Sequence, residues 1–408
     1  MSRPQWLHAR RAARFGLAGL FAASLAACGG TPSRPDGEPT GTGSAGNQQL
    51  PEEVPAPPPV KREAKEVFTA GAAAYKAGNA KQAMDLFERA VEADETFGAA
   101  YFNIGRIHED QGNIDEARRW YQRASEKGKN FGDGLVNLGR MELVKGNKSE
   151  AMALFRKAIQ IEPFNGEAHL NLAHEARERG DFASAVKHVR TALKEDSQNV
   201  LAYEVLARVY YDLGRYELAK LVCLTGLDIS KTADLYNTLG LVHLKQDNVR
   251  VALTAFEDAL KVDPKYVPAH MNVGAITFNY RDYESSYRHF SEVVKQQPDN
   301  VDALLSKAVA ARGLDRLDEA EAGYKAVLAK QSGHVGAHYN LGVLYQEYTQ
   351  KLEEALREYQ SVLSNEREDV ELRKDVTQRI ETVRIQMQNM KEVEEMMRQQ
   401  KAEGGGEG

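Results

Sequence analysis

Residues 132–165 read GDGLVNLGRMELVKGNKSEAMALFRKAIQIEPFN, and the pattern inside this stretch organises most of the chain. It contains an apolar Leu138, a small Gly139, a second small residue at Ala151, an aromatic ring at Phe155 and a proline at Pro163. Proline cannot continue a helix, so Pro163 marks an end. Outward in both directions the small residue at Gly139 recurs as Gly71, Gly105, Ala173, Ala207, Gly240, Gly274, Ala308 and Gly342. The steps are 34 residues throughout, apart from one of 33.

With that small residue counted as position 8, the other landmarks fall into register. Position 7 is apolar in Ala70, Ile104, Leu138, Leu172, Leu206, Leu239, Val273 and Leu341, with Lys307 as the exception. Position 20 is Ala83, Ala117, Ala151, Ala185, Ala219, Ala252, Ser286, Ala320 and Ala355. A run of small residues there has a packing cause, because a larger side chain would push two crossing helices apart. Position 24 is Phe87, Tyr121, Phe155, Val189, Cys223, Phe256, Phe290, Tyr324 and Tyr359, and prolines end units at Pro163, Pro264 and Pro298.

A 34-residue unit with these landmarks resembles the tetratricopeptide repeat, a helix–turn–helix module. The resemblance implies an all-α fold: a right-handed superhelical solenoid of about nine repeats over residues 63–368, growing by stacking. Three departures stand out. Cys223 takes an aromatic core slot and reads as a buried, inert thiol. Lys307 either loosens its unit or snorkels its charge out along its stem. The ninth unit carries one extra residue between its helices, around Thr349 and Gln350.

Beyond Arg367 the pattern becomes one long amphipathic helix, expected over 369–401, with a disordered tail at 402–408. Val376, Ile380, Val383, Met387, Met390 and Met397 form a stripe on one face of it. Its first turns are expected to cap the apolar end of the solenoid. Its later part, with Val393 and Met396, reads either as a frayed extension or as a methionine-rich coiled-coil or partner-docking face.

The N-terminal segment reads as an address. Arg3, Arg10, Arg11 and Arg14 precede an apolar run from Phe15 to Ala27 that is too short to span a bilayer. The segment 1–27 is therefore expected to be a secretory signal. It ends in Leu25-Ala26-Ala27-Cys28-Gly29, which resembles the bacterial lipobox. That resemblance implies a mature chain starting at Cys28, with a diacylglyceryl group on sulfur and an acylated amine, and several acyl chains give stable membrane attachment. Gly29 and Gly30 follow without an aspartate, which by the sorting rule of many Gram-negative bacteria implies the outer membrane, with the chain facing the periplasm. Residues 28–62 are rich in Gly, Pro, Ser and Thr and are expected to form a disordered spacer, extended near Pro57-Pro58-Pro59.

Function is expected from a binding face. In the repeat family the first helix of each unit lines the concave wall, and position 6 on that helix is Asn103, Asn137, Asn171, Asn272 and Asn340. An asparagine offers both a donor and an acceptor and can hold a peptide backbone, although asparagine is also simply common there in the family. Position 9 carries Arg106, Arg140, His174 and Arg208 and then turns apolar from Leu241 onward. Those arginines suit carboxylates. Glu109, Asp110, Glu142, Glu178, Glu204 and Asp212 stand nearby in sequence and could equally neutralise them. The lysine set that chaperone-binding repeats use as a carboxylate clamp is not found.

Catalysis is not expected. The chain has ten histidines, but His169, His270 and His338 share position 4, where packing explains them, and no HExxH, paired-cysteine, GxSxG or phosphate-loop motif occurs. No cofactor, metal or small-molecule substrate is expected, and a net charge of −6 without a basic block gives no nucleic-acid footprint. The layout of signal, lipobox, spacer, repeats and terminal helix is similar to the repeat lipoproteins of bacterial cell envelopes. In overall plan it resembles the gliding-motility repeat lipoprotein of the myxobacterial Glt machinery, which implies a scaffold with other envelope proteins as partners. Pilotin-like lipoproteins of type IV pilus secretins, usually shorter, and adaptors for cell-wall enzymes or polymer export stand as alternatives.

Overall fold

Each repeat is a pair of helices because a residue with positive φ stops the first helix and reverses the chain into the second. In the first five repeats that residue is Gly78, Gly112, Gly146, Gly180 or Gly214, with φ between 69° and 83°. Glycine adopts this left-handed conformation without a steric penalty. The remaining repeats use Asp247, Arg281, Asp315 and Gln350 at φ 56–64°, which costs a side chain more. Second helices start cleanly where Asn79, Asp181 or Asp282 accepts a hydrogen bond from the backbone N–H three residues on.

The computed structural model of the protein describes residues 59–129 and 131–404, all helix and connecting turns. The expected signal at 1–27, Cys28 and nearly all of the spacer lie outside the described residues. The chain divides into two compact units, one ending at Lys231 and the other beginning at Thr232.

The first unit contains five helix pairs. They are α1 (Arg62–Lys76) with α2 (Ala80–Ala93), α3 (Gly98–Asp110) with α4 (Ile114–Lys127), and α5 (Asp133–Val144) with α6 (Lys148–Ile161). After them come α7 (Gly166–Glu178) with α8 (Phe182–Glu195), and α9 (Val200–Asp212) with α10 (Tyr216–Ile229). The second unit contains α11 (Ala233–Lys245) with α12 (Val249–Val262), α13 (Val267–Asn279) with α14 (Tyr283–Gln296), and α15 (Val301–Gly313) with α16 (Leu317–Lys330). Its ninth pair is α17 (Val335–Val343), prolonged by a π turn at Leu344–Tyr348, with α18 (Leu352–Asn365), and α19 (Val370–Gly404) closes it.

The repeat landmarks form the core. The alanines of position 20 and the residues of position 24 are fully or almost fully buried, Cys223 among them. Where serine replaces alanine, Ser286 Oγ donates to Gly274 O at 2.9 Å, so the buried hydroxyl is satisfied. Lys307 Nζ lies over the Tyr287 ring, 5.2 Å from the centroid.

Two details differ from the sequence expectation. The extra residue of the ninth repeat does not lengthen the turn; it is taken up as the π turn Leu344–Tyr348. The last helix continues through Gly404, so the first residues of the expected tail are helical. Leu372, Val376, Ile380 and Val383 of α19 are buried against the ninth repeat, as a cap requires, whereas Ile385, Met390, Val393, Met396 and Met397 are exposed.

Candidate partner-binding face

The first helices of neighbouring repeats touch through polar side chains. In the first unit the hydroxyl of Tyr75 on α1 donates to Asp110 on α3. On α7, Arg177 Nε donates to Asp212 Oδ2 of α9 at 2.6 Å. Both bonds span 35 residues, from position 12 of one repeat to position 13 of the next.

The asparagines of position 6 all have hydrogen-bond partners within the chain, and only Asn137 and Asn340 are buried. Asn103, Asn171 and Asn340 each donate to the backbone carbonyl four residues earlier, at 2.8, 2.8 and 2.7 Å. Asn137 is buried, and its Oδ1 accepts from Arg140 Nη1 at 3.4 Å. Asn272 donates to Asn237 Oδ1 at 2.9 Å, a bond between first helices of adjacent repeats. Asn237 escaped the sequence reading because it stands one place before the repeated position.

Of the position 9 arginines, Arg106 is exposed and stacks over the Tyr75 ring, 5.3 Å from its centroid. Arg140 is exposed and Arg208 half-buried. The neighbouring acids are largely engaged elsewhere: Glu109 with the Tyr121 hydroxyl, Glu142 with Arg118 and Asn147, Glu178 with Lys148, and Asp212 with Arg177. Among the described residues neither Arg106 nor Arg140 is in an ion pair, although Asp110 bonds to the Tyr75 on which Arg106 stacks.

The histidines of position 4 form a device that single positions could not reveal. In three repeats Nε2 meets the carbonyl that ends the preceding repeat: His169 with Pro163 O and His270 with Pro264 O at 3.0 Å, and His338 with Ser332 O at 2.8 Å. A carbonyl only accepts, so Nε2 carries the proton in each. Nδ1 faces position 23 of the second helix, which is His188 at 2.8 Å, His289 at 2.9 Å and Glu358 at 2.6 Å. Burial, with the facing imidazole adding repulsion, pushes His188 and His289 down to about 4. The Glu358 carboxylate instead raises His338. The recurring 19-residue spacing of the two histidine pairs was the available signal. Among the described residues no group of three or more His, Cys, Asp or Glu could hold a metal ion.

Family models described as tetratricopeptide repeat match residues 74–133, 133–165, 170–230 and 237–279. The chain carries tetratricopeptide repeats. A model of the fifth ARM repeats domain of TT21 matches the helical repeats at 267–381. Human tetratricopeptide repeat protein 6 is 31% identical over 114 residues, which is 28% of this chain; the chain spans only 22% of that protein's length. Among solved structures, a monomeric mutant of human IFIT1 has a TM-score of 0.51 at 16% identity, covering 80% of this chain and 83% of that one. Pseudomonas aeruginosa PilF has a TM-score of 0.44 at 22% identity, covering 54% of this chain and 97% of that one. At 16% identity the likeness to IFIT1 speaks to the fold alone, and the family models identify the repeating unit as tetratricopeptide. Repeats of this kind point to a protein–protein interaction scaffold, a generally non-catalytic role.

Proposed function

We propose that this chain is a membrane-tethered tetratricopeptide-repeat scaffold that holds together proteins of a bacterial envelope machine. The observation that carries the proposal is Leu25-Ala26-Ala27-Cys28 standing ahead of a repeat array through a Pro/Gly-rich spacer. Acyl chains on Cys28 would fix the array at the outer membrane, facing the periplasm, on a spacer of roughly 3 Å per extended residue. Two separate candidate contacts support the reading: the stacked Arg106 and the exposed Arg140 in the first unit, and an exposed methionine-bearing stretch of α19 in the second. The resemblance in layout to the myxobacterial Glt lipoprotein names gliding as the machine.

Deletion of the gene in the source bacterium tests the machine. The expected result is loss of gliding by isolated cells on a hard surface, with pili and secretin multimers intact. Lost secretin multimers would replace the gliding assignment with a pilotin one; altered cell-wall cleavage or polymer export with normal gliding would replace it with an adaptor. Affinity purification of the lipidated chain from envelopes tests the scaffold itself, and recovery of no protein beyond background would refute it.

A further inference from the structure

The 35-residue step that joins Tyr75 to Asp110 and Arg177 to Asp212 has a further instance in the second unit, and there the contact is not made. Arg312 occupies position 12 of the eighth repeat, and Glu347, 35 residues on, occupies position 13 of the ninth. The π turn Leu344–Tyr348 intervenes and re-aims the side chains within it. Glu347 Oε1 lies 2.8 Å from Arg379 Nη1 on α19, and Asp375 holds the same guanidinium at 3.1 Å. The capping helix thus takes the acid that the repeat register assigns to Arg312.

Arg312 is left in an unusual setting. It is half-buried, and it forms no ion pair among the described residues. Its guanidinium lies 6.0 Å from the ring centroid of Tyr348, which is itself 45% exposed. Its Nη1 is buried and has no hydrogen-bond partner among the described residues, and the same holds for the hydroxyl of the fully buried Tyr324. In the second and ninth repeats the equivalent tyrosines, Tyr121 and Tyr359, bond to an acceptor at position 12, Glu109 and Gln346 respectively. The eighth repeat has the cation Arg312 in that place, which cannot accept the Tyr324 hydroxyl proton as Glu109 and Gln346 accept theirs. A guanidinium drawn out of water is stabilised by a carboxylate, which it grips through paired hydrogen bonds.

We propose that Arg312, walled by Tyr348, docks a carboxylate from an acidic segment of a partner protein, in the role that Asp212 has for Arg177. The proposal rests on the scaffold reading and gives it a specific contact. A fluorescein-labelled hexaglutamate peptide, titrated by anisotropy into the purified full chain, tests it. Wild type is expected to bind, more weakly as salt rises, and to ignore hexaglutamine. Arg312→Gln is expected to lower the affinity at least about tenfold, and Arg312→Lys to recover only part of it, because lysine lacks the fork. Arg357→Gln, an exposed change on α18, should bind as wild type does. Circular dichroism verifies folding; if Arg312→Gln unfolds, the reduced affinity of Arg312→Lys is the deciding measurement.

Equal affinity of the wild-type and folded Arg312 variants would overturn the proposal, as would failure of the wild type to bind. An oligothymidylate whose binding falls equally in Arg312→Gln would also overturn it, by showing a general anion site. Envelope proteins captured by a chain whose peptide binding ignores Arg312 would refute this site and leave the scaffold standing. No capture at all would refute the scaffold.

Discussion

At position 8 the choice between glycine and alanine follows the size of the residue at position 24. A Cβ on Gly240 would come within 2.5 Å of the Phe256 ring, and one on Gly139 within 2.6 Å of Phe155. Ala173 and Ala207 instead face the smaller Val189 and Cys223. Ala308 shares its repeat with the bulky Tyr324, and there the relief comes from Gly323, where a Cβ would meet Ala308 Cβ at 2.6 Å. Gly240→Ala is therefore expected to destabilise the second unit by about 1–3 kcal/mol through overpacking. Adding Phe256→Val, which recreates the Ala173–Val189 pair, should cost less than the two changes summed, as urea-unfolding midpoints would show. The histidine pairs set a pH dependence at the same scale. His188 and His289 fall from an ordinary 6.5 to about 4 on folding, so between those values the unfolded chain binds protons that the folded chain does not. The stability they contribute is present above pH 6.5 and is lost as pH falls toward 4. His338 has the opposite sign, its contribution being lost as pH rises through its raised folded value. The melting temperature should drop on acidification below pH 6.5, and His188→Gln with His289→Gln should flatten the drop; an unchanged slope would remove the pairs as its cause.

Among the elements, the turn inside each repeat is the least uniform. Five glycines serve the first unit, whereas Arg281 holds φ 64° in the second with an exposed side chain. Left-handed backbone costs a side chain about 1–2 kcal/mol, so Arg281→Gly is expected to raise stability by about 0.5–1 kcal/mol after the entropy of glycine is subtracted. A lower midpoint in urea would show that Arg281 has a compensating contact. The long α19 has two roles divided along its length. Its stretch from Leu372 to Val383 supplies the apolar surface that a tenth repeat would have supplied, while Arg379 adds ion pairs to Glu347 and Asp375. Its later turns bury little and carry the exposed methionines.

For the molecule as a whole, the proposal joins an array that binds with an N-terminus that attaches. Lipidation at Cys28 predicts that Cys28→Ala leaves the protein uncleaved or soluble, which fractionation of envelopes from washed cells measures. Unchanged outer-membrane recovery would sink the anchor. Among the described residues no helix is long and apolar enough to cross a membrane. Lost attachment with intact partner capture would separate the two halves of the reading.

The repeat fold was legible from Gly139, Ala151, Phe155 and their counterparts because each unit repeats one local packing problem, and a periodic problem leaves a periodic trace. Contacts that depend on which repeat lies beside which left a weaker one. The bond between Asn272 and Asn237, the pairing of His169 with His188, and the engaged acids around Arg106 and Arg140 all arise from side-chain directions across helices. Glu347 shows the limit most clearly. Its place in the sequence register assigns it to Arg312, yet a single added residue, absorbed as a π turn, turns it to Arg379. Sequence by itself determined the repeated unit, because burial of small and aromatic residues is local and recurrent. Tertiary structure alone decided which cation was left without its acid, because that depends on the direction of one carboxylate.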